Sequence, residues 1–259
     1  MKNDYNSHDS GYIIKFILNQ LNEELNINPI KVNENNDPMY RFNKELILKQ
    51  FFNNIKENSK FISDKFYSII EIKKRCTKCE VEPNTYEYFY EASPIIDINL
   101  EAPTYYNESF RVSLEEHLKI LLIDKESQNI KESCILCGKE QIKIVSKDIV
   151  TTSEVLILNI NRKNDINNII SFNYPEEFSG KKIINSDDKY NLPDYELTSV
   201  ILKKKDSLCD VKYKLFYKNF IDNNWYSYNN EEIILVQNYK NYIFDDKNAC
   251  VLIYTKKYN

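Results

Sequence analysis

Glycine and histidine are the residues that this sequence uses least. Only 3 glycines occur among 259 residues, where average usage would give about 18. The glycine-rich loops that cradle phosphates and dinucleotides need several closely spaced glycines, so such nucleotide-binding sites are excluded. With only 2 histidines, any histidine-dependent catalytic triad or metal site must use His8 or His117.

Long apolar runs and a basic excess are also missing. The longest apolar stretches, such as Val155–Leu158, are far shorter than the roughly 18 residues of a membrane-spanning helix, and residues 1–10 do not resemble a secretion signal. Lys and Arg total 35 against 39 Asp and Glu, for a formal net charge of −4. This balance argues against binding nucleic acid or anionic membranes through bulk charge. We expect a soluble intracellular protein, cytoplasmic or nuclear, with neither nucleic acid nor membrane as a partner.

Hydrophobic periodicity predicts a mixed α+β fold in which helices precede a dominant sheet. Helical spacing covers Ser10–Leu25, Lys44–Ile55 favours a second helix, and Ser113 with Glu116 forms a capping box that begins a third. Hairpin spacing near the C-terminus is typical of an antiparallel sheet, and the apolar run within Val155–Ile160 indicates a strand buried on both faces. The predicted strands are Phe66–Lys74, Thr85–Tyr90, Pro94–Leu100, Gln141–Ile149, Val155–Ile160, Ser171–Phe178, Tyr195–Leu202, Lys212–Lys218, Trp225–Tyr228, Ile233–Val236 and Ala249–Thr255.

Two CxxC pairs account for four of the 6 cysteines. They are Cys76-Thr-Lys-Cys79 and Cys134-Ile-Leu-Cys137, and each such turn can direct two thiolates to one metal ion. In an intracellular chain this pattern predicts a Zn²⁺ site with four protein ligands. Such a site is structural rather than catalytic, because no coordination position remains for a substrate. A disulfide, which an intracellular location disfavours, or a degenerate site is the alternative.

Basic residues flank both pairs. Lys73, Lys74 and Arg75 precede the first pair and Lys139 follows the second. Positive charge beside a thiol favours the thiolate, which is the form that binds metal. We therefore expect these side chains to support the metal site.

The other two cysteines lie outside any pair. Cys250 stands in the apolar run Ala-Cys-Val-Leu-Ile and is predicted to be a core residue. Cys209 lies in a polar turn region, where a role as nucleophile is the less favoured interpretation. The histidines have equally ordinary predicted roles: His8 as a cap or solvated residue, and His117 on the surface of the helix that begins near Ser113.

Seven short sequence boxes occur in a fixed order over about residues 8–256. They are His8–Ile14, the two CxxC pairs, Ser113–Leu118, Glu154–Arg162, Phe172–Phe178, Tyr195–Ile201, and Trp225–Tyr228 with Val251–Tyr254. In this order they resemble the ubiquitin-specific protease family, the papain-like deubiquitinases. The first resembles its Gln-Asp-[Ala/Ser]-x-Glu-Phe-Leu helix and the CxxC pairs its zinc-tipped fingers. Ser113–Leu118 resembles its Ser-Leu-x-x-x-Leu helix between the pairs, and the remaining boxes resemble its palm segments.

The resemblance implies one domain over residues 1–259 with a papain-like α+β fold. A residual thumb helix is expected at 8–26, zinc-tipped β fingers at about 61–150, and an antiparallel β palm at about 151–259. Most of the helical thumb is expected to be missing, and the implied cofactor is a structural Zn²⁺.

The catalytic positions depart from the family pattern. The family's nucleophilic cysteine box lies upstream of the helix that His8–Ile14 resembles, so this chain is expected to lack it. The general-base histidine of Gly-His-Tyr aligns with Lys212, and the third triad position is occupied by Asn229. Because a lysine is a cation at neutral pH, it does not replace the imidazole that activates a thiol.

These departures predict a non-catalytic domain of the ubiquitin pathway that binds ubiquitin or a ubiquitin-like protein. One alternative is an active cysteine-type deubiquitinase of which this chain is only the C-terminal part. Another is a scaffold that kept the fold, with a protein partner covering apolar surface where the thumb is missing. Nucleic-acid binding is the least favoured alternative, since Lys203–Lys205 is more simply a solvated hairpin end.

Overall fold

Strands outnumber helices in the described part of this protein, whose structure is a computed structural model. The helices with defined bounds are α1 (Ser10–Glu24), α2 (Lys44–Asn58), α3 (Phe61–Phe66), α4 (Leu114–Ile123) and α5 (Lys240–Ile243). The structure describes residues 10–24, 43–58, 61–78, 86–100, 111–123, 128–130, 133–134, 136–139, 142–162, 170–180, 193–205, 211–229, 232–244 and 247–258. No helix in these ranges is long and apolar enough to cross a membrane.

Fourteen strands are defined in the same ranges. They are β1 (Ser68–Cys76), β2 (Glu87–Ser93), β3 (Ile96–Leu100), β4 (Arg111–Ser113), β5 (Gln128–Ile130), β6 (Ile142–Thr151), β7 (Val155–Arg162), β8 (Ser171–Asn173), β9 (Glu177–Ser179), β10 (Asp194–Lys205), β11 (Val211–Lys218), β12 (Trp225–Asn229), β13 (Glu232–Leu235) and β14 (Ala249–Lys256).

The strands form two main sheets, called here the large sheet and the small sheet. The large sheet has eight strands in the order β13-β12-β11-β10-β14-β7-β3, with β9 paired to β10. The small sheet has the order β2-β1-β6-β5 and is antiparallel throughout. Two parallel pairings, β3 with β7 and β4 with β8, depart from the antiparallel prediction.

One face of the large sheet carries the main hydrophobic core. The central residues Leu158, Val200 and Leu252 are inaccessible to solvent, and Leu114 and Leu118 of α4 belong to the same buried cluster. Burial of five consecutive residues in β7 confirms the predicted two-faced burial of that strand. Each fully buried aliphatic side chain contributes roughly 1.5–3 kcal/mol, so this face holds most of the fold's hydrophobic stabilisation.

Helices α1 and α3 cover the opposite face of the large sheet. Leu18 of α1 and Ile62 of α3 pack with Ile157 of β7 and Val251 of β14. Gly11 permits this close approach, because a Cβ atom there would lie 2.2 Å from the Asn159 Oδ1 atom. Glycine is therefore required where the first turn of α1 meets β7.

Most predicted elements are confirmed within the described residues. The Ser113 hydroxyl accepts a hydrogen bond from the Glu116 amide (3.2 Å) and donates one to its carboxylate (2.8 Å), which confirms the capping box. The predicted strand Phe66–Lys74 is present as β1, which begins at Ser68 because Phe61–Phe66 forms α3. One prediction is wrong. The predicted strand Ser171–Phe178 is two strands, β8 and β9, which pair with different neighbours.

Candidate functional site

The second CxxC pair forms a tight turn beside the small sheet. The Gly138 amide donates to the Cys134 carbonyl (2.8 Å), and the Cys134 amide donates to the Lys139 carbonyl (3.0 Å). Gly138 has a φ of 67°, a left-handed conformation that glycine adopts without steric cost. This turn brings Cys137 back towards Cys134 and the end of β1.

The first CxxC pair begins where β1 ends. Cys76 is the last residue of β1, and the Lys78 amide lies 3.4 Å from the Cys76 Sγ atom, to which it donates a hydrogen bond. Such a bond supplies positive polarity to a sulfur and favours its thiolate form. Cys79, the other member of the pair, lies outside the described residues.

Three of the four predicted ligands meet in space. The Sγ atoms of Cys76, Cys134 and Cys137 all lie within 4.8 Å of one another, so this group can hold a metal ion. Cys76 and Cys137 are unoxidised, and their sulfurs are 3.7 Å apart. Tetrahedral zinc with Zn–S bonds of about 2.3 Å requires sulfur separations of about 3.8 Å. The measured separation therefore fits a shared metal, whereas a disulfide requires about 2.05 Å.

Two of the flanking lysines, Lys73 and Lys74, have identified partners on the small sheet. Lys73 places its ammonium 3.5 Å from the Glu71 carboxylate, and the Lys74 ammonium lies over the ring of Phe89, 4.3 Å from its centre. Alternation along β1 points these two side chains to opposite faces of the small sheet. The identified donor to a sulfur is a backbone amide. The Cys-x-x-Cys-Gly pattern ending at Gly138 was the sequence signal for this turn.

Lys212 and Asn229, the two positions predicted to be catalytically degenerate, lie on neighbouring strands of the large sheet. Lys212 belongs to β11 and Asn229 ends β12, and these strands pair antiparallel. Lys212 is exposed and stands directly across from Lys204 of β10. The local arrangement thus brings two cations together where the family resemblance implies a neutral imidazole.

Four predicted residues remain. The structure confirms the prediction for one, contradicts it for another, and does not describe the other two. Cys250 is 8% exposed and its thiol donates to the Ile201 carbonyl (3.3 Å), which confirms its place in the core. The prediction for His117 is wrong: it is half-buried, and its ring meets the ring of Phe172 edge-on at 6.4 Å. Cys209 and His8 lie outside the described residues.

Helix α1 carries exposed apolar surface of the kind that the sequence predicts where the thumb is missing. Tyr12, Ile13, Phe16, Ile17 and Leu21 are each at least 40% exposed on this helix. Their spacing places them on the side opposite Leu18, which packs on the sheet. The signal was present in the sequence, because apolar residues occupy more of the helix than a single buried stripe requires.

Comparison with protein families identifies the fold. The family model described as ubiquitin carboxyl-terminal hydrolase matches residues 1–254. The chain belongs to this family. A search of curated proteins found no significant sequence match to this chain.

Solved structures of ubiquitin-specific protease assemblies share the fold. A chain of the SAGA Ubp8/Sgf11/Sus1/Sgf73 DUB module aligns with a TM-score of 0.60 and 17% identity, covering 98% of this chain and 51% of the other. A yeast SAGA DUB module that carries an Sgf73 mutant aligns with a TM-score of 0.53 and 16% identity, over 83% of this chain and 48% of that one. The SAGA DUB module bound to ubiquitin aldehyde aligns with a TM-score of 0.53 and 17% identity, over 83% of this chain and 48% of that one. The chain therefore spans about half the length of these neighbours.

Proposed function

We propose that this chain is a ubiquitin-specific protease domain that binds ubiquitin or a ubiquitin-like protein without hydrolysing an isopeptide bond by itself. The proposal rests on Lys212, the residue that the family resemblance aligns with the general-base histidine, and on its observed exposure. Its side chain is exposed on β11 and faces Lys204 across the strand pair. A solvated lysine remains protonated at neutral pH and does not accept the proton of a thiol.

The buried thiol of the large sheet offers no replacement nucleophile. Cys250 is enclosed in the core, lies on β14 and donates to a backbone carbonyl of β10. Lys212 lies on β11, on the far side of β10 from β14. Papain-like chemistry needs the base within hydrogen-bonding distance of its thiol, and this pair does not meet that requirement.

Ubiquitin binding is supported by the family and by the sheets. Structural neighbours of this fold include the SAGA module bound to ubiquitin aldehyde and to monoubiquitin. In this proposal residues of about 61–150 form the fingers and residues 151–259 the palm that hold ubiquitin. A nuclear or cytoplasmic location stays a prediction.

A structural zinc ion completes the proposed fingers. Cys76, Cys134 and Cys137 would bind it, with Cys79 as the fourth ligand. The support is the sulfur separation that fits tetrahedral thiolate coordination, and soft thiolate donors favour Zn²⁺ over harder cations. In this role the ion would hold β1 against the Cys134–Lys139 turn.

Two measurements on the purified full chain test the proposal. Titration into isotope-labelled ubiquitin is expected to give saturable shifts, and an electrophilic probe on the ubiquitin C-terminus is expected to label no cysteine. The Lys212→His variant is the matched control and should also stay unlabelled, because restoring an imidazole does not supply a thiol. Labelling of Cys209 would contradict the assignment, and absence of ubiquitin binding would remove the binding role.

The exposed apolar side of α1 favours a second candidate. Large apolar patches on one side of a helix are typical of surfaces that meet a partner, and the chain aligns with only 51% of its neighbour. In this alternative the chain is the C-terminal part of an active deubiquitinase, and a thumb segment packs on Phe16 and its neighbours. A cysteine box in the reading frame upstream of Met1 would support it. A soluble monomer without hydrophobic-dye binding would count against any partner there.

A further inference from the structure

Strand β13 forms an unprotected edge of the large sheet. Among the described residues it pairs only with β12, and all four of its residues are exposed. Ile233, Ile234 and Leu235 are 61%, 52% and 49% exposed. Soluble proteins usually protect such edges with charges, prolines or bulges. Three consecutive large aliphatic residues instead give β13 apolar side chains on both faces of the sheet.

The backbone of β13 offers hydrogen-bonding groups in a defined pattern. The Val236 amide donates to the Trp225 carbonyl at 2.8 Å, so these residues form a hydrogen-bonded pair with β12. In antiparallel strands such pairs alternate with pairs that make no hydrogen bonds. Ile234 is therefore bonded to Ser227, its partner in the register, whereas the amides and carbonyls of Ile233 and Leu235 point away from β12. These two amides and two carbonyls can form hydrogen bonds with a further strand.

The outward-pointing amides and carbonyls of β13 allow it to pair with a second copy of itself in one antiparallel register. If a second β13 approaches antiparallel, Ile233 of each copy can exchange both hydrogen bonds with Leu235 of the other. Ile234 then stands opposite itself in the pair between them, which makes no hydrogen bonds. A twofold axis through this point makes the two surfaces identical, as a closed symmetric dimer requires.

Side chains and charge agree with this register. Two Ile233–Leu235 pairs lie on one face of the joined sheet, where Tyr228, 43% exposed, stands beside Ile233. The Ile234 pair lies on the other face. Glu232 stands across from Val236, so the two carboxylates lie at opposite ends of the contact, roughly 14 Å apart along the strands. No like charges oppose each other.

We propose that β13 joins two copies of this chain edge to edge, through antiparallel pairing centred on Ile234. The large sheets of both copies then form one continuous sheet. Four residues a side bury less surface than the roughly 1,200–2,000 Å² of stable complexes. The dimer is therefore concentration-dependent, with its specificity set by the backbone pairing.

Sedimentation equilibrium of the full chain across the micromolar range tests the proposal. The mass is expected to rise from one chain towards two. The Ile234→Lys variant should keep the mass of one chain, because a charge at the centre of the pairing opposes association. The matched control is Ile221→Lys, which changes an isoleucine that is 93% exposed in the turn before β12. It should associate like the unmodified chain, and circular dichroism should show all variants folded.

Three results would overturn the proposal. They are a single-chain mass at every concentration, undiminished association of Ile234→Lys, and loss of association in Phe16→Lys instead. The last result would assign self-association to the exposed side of α1. A monomer that binds an extended peptide through β13 would assign the edge to a different partner.

A cross-link tests the register itself. Residues in antiparallel pairs that make no hydrogen bonds have Cα atoms about 4.5 Å apart, which a disulfide can span. With oxidised glutathione as the oxidant, Ile234→Cys is expected to give a reducible covalent dimer well above the level of the unmodified chain. Ile221→Cys controls for random oxidation, and equal cross-linking of both variants would contradict the pairing.

Discussion

The two sheets of this protein are stabilised in different ways. The large sheet buries apolar side chains on both faces, against α4 on one side and against α1 and α3 on the other. The small sheet buries the carboxylates of Glu71 and Glu87 together with Ser68, and its end lies beside the thiol cluster. Buried carboxylates need hydrogen-bonding or ionic partners, whereas apolar side chains are stabilised by burial itself.

Glu71 shows how the small sheet accommodates a buried charge. Its side chain is 2% exposed, with the Lys44 ammonium at 2.9 Å and the Lys73 ammonium at 3.5 Å. The Tyr90 hydroxyl donates to the same carboxylate at 2.7 Å. These partners come from α2, β1 and β2, so the carboxylate ties the helix to the sheet.

Removal of the metal ligands is expected to have the largest effect and to separate the two sheets. The Cys76→Ser/Cys137→Ser variant should lose the bound metal and, with it, on the order of 10 kcal/mol of local stabilisation. Hydrogen exchange should accelerate in β1 and β6 but not in β10 and β14, and elemental analysis should show the loss of zinc. The Cys250→Ser control should retain the metal. Unchanged protection of β1 in the ligand variant would mean that the small sheet does not depend on a metal.

Truncation in the core of the large sheet is expected to be the next largest effect. Leu252→Ala removes a side chain that is 0% exposed on β14 and should cost about 2–5 kcal/mol. Trp225, the only tryptophan, is 2% exposed in this sheet, so its fluorescence during urea unfolding reports the change. Ile233→Ala, at an exposed position, should shift the midpoint little. Equal shifts would show that burial does not set the stability of this sheet.

Loss of the buried carboxylate is expected to affect only the small sheet. Glu71→Ala leaves Lys73 and Tyr90 without their partner and should destabilise that sheet by about 1–3 kcal/mol. Exchange in β1 is the readout, and the fluorescence midpoint of Trp225 should not move. Glu91→Ala, an exposed glutamate on β2, is the control. A shift in the tryptophan midpoint would show that the two sheets unfold together.

Glu176 is expected to give the smallest effect, as an acid-sensitive contact of the large sheet. Burial raises the pKa of its carboxyl, but hydrogen bonds from Tyr239 and Lys240 outweigh that and hold the pKa below the ordinary 4.5. A lowered folded-state pKa stabilises the protein above pH 4.5, and this contribution disappears as the pH falls through the folded value.

The Glu176→Gln variant tests this contact. It should lose about 1 kcal/mol at neutral pH and show a weaker loss of stability below pH 4.5 than the unmodified chain. Trp225 is a sensitive probe, since its ring stacks on that of Tyr239 at 5.3 Å. Glu177→Gln, which changes a more exposed neighbour paired with Lys257, should have little effect. Identical acid profiles for both variants would exclude Glu176 as the source.

The local sequence was enough to predict most elements of the large sheet. The apolar run in β7 and the alternation in β10 and β14 fit a strand and do not fit the 3.6-residue period of a helix. Periodicity was therefore enough to predict these three strands. The prediction began the first strand at Phe66, the last residue of α3, because periodicity does not fix the ends of elements to within one or two residues. It was wrong for Ser171–Phe178, because its two halves pair with strands that are distant in the sequence.

By itself the sequence determined the kind of chemistry available: two CxxC pairs, only 2 histidines, and too few glycines for a phosphate-binding loop. Only the tertiary structure decided which groups meet. It brought Cys76 to within 3.7 Å of Cys137, placed Lys73 beside Glu71, and left β13 at an edge of the described sheet. The reason is physical: side-chain periodicity is set by neighbouring residues, whereas strand order and register depend on contacts between residues far apart in the chain.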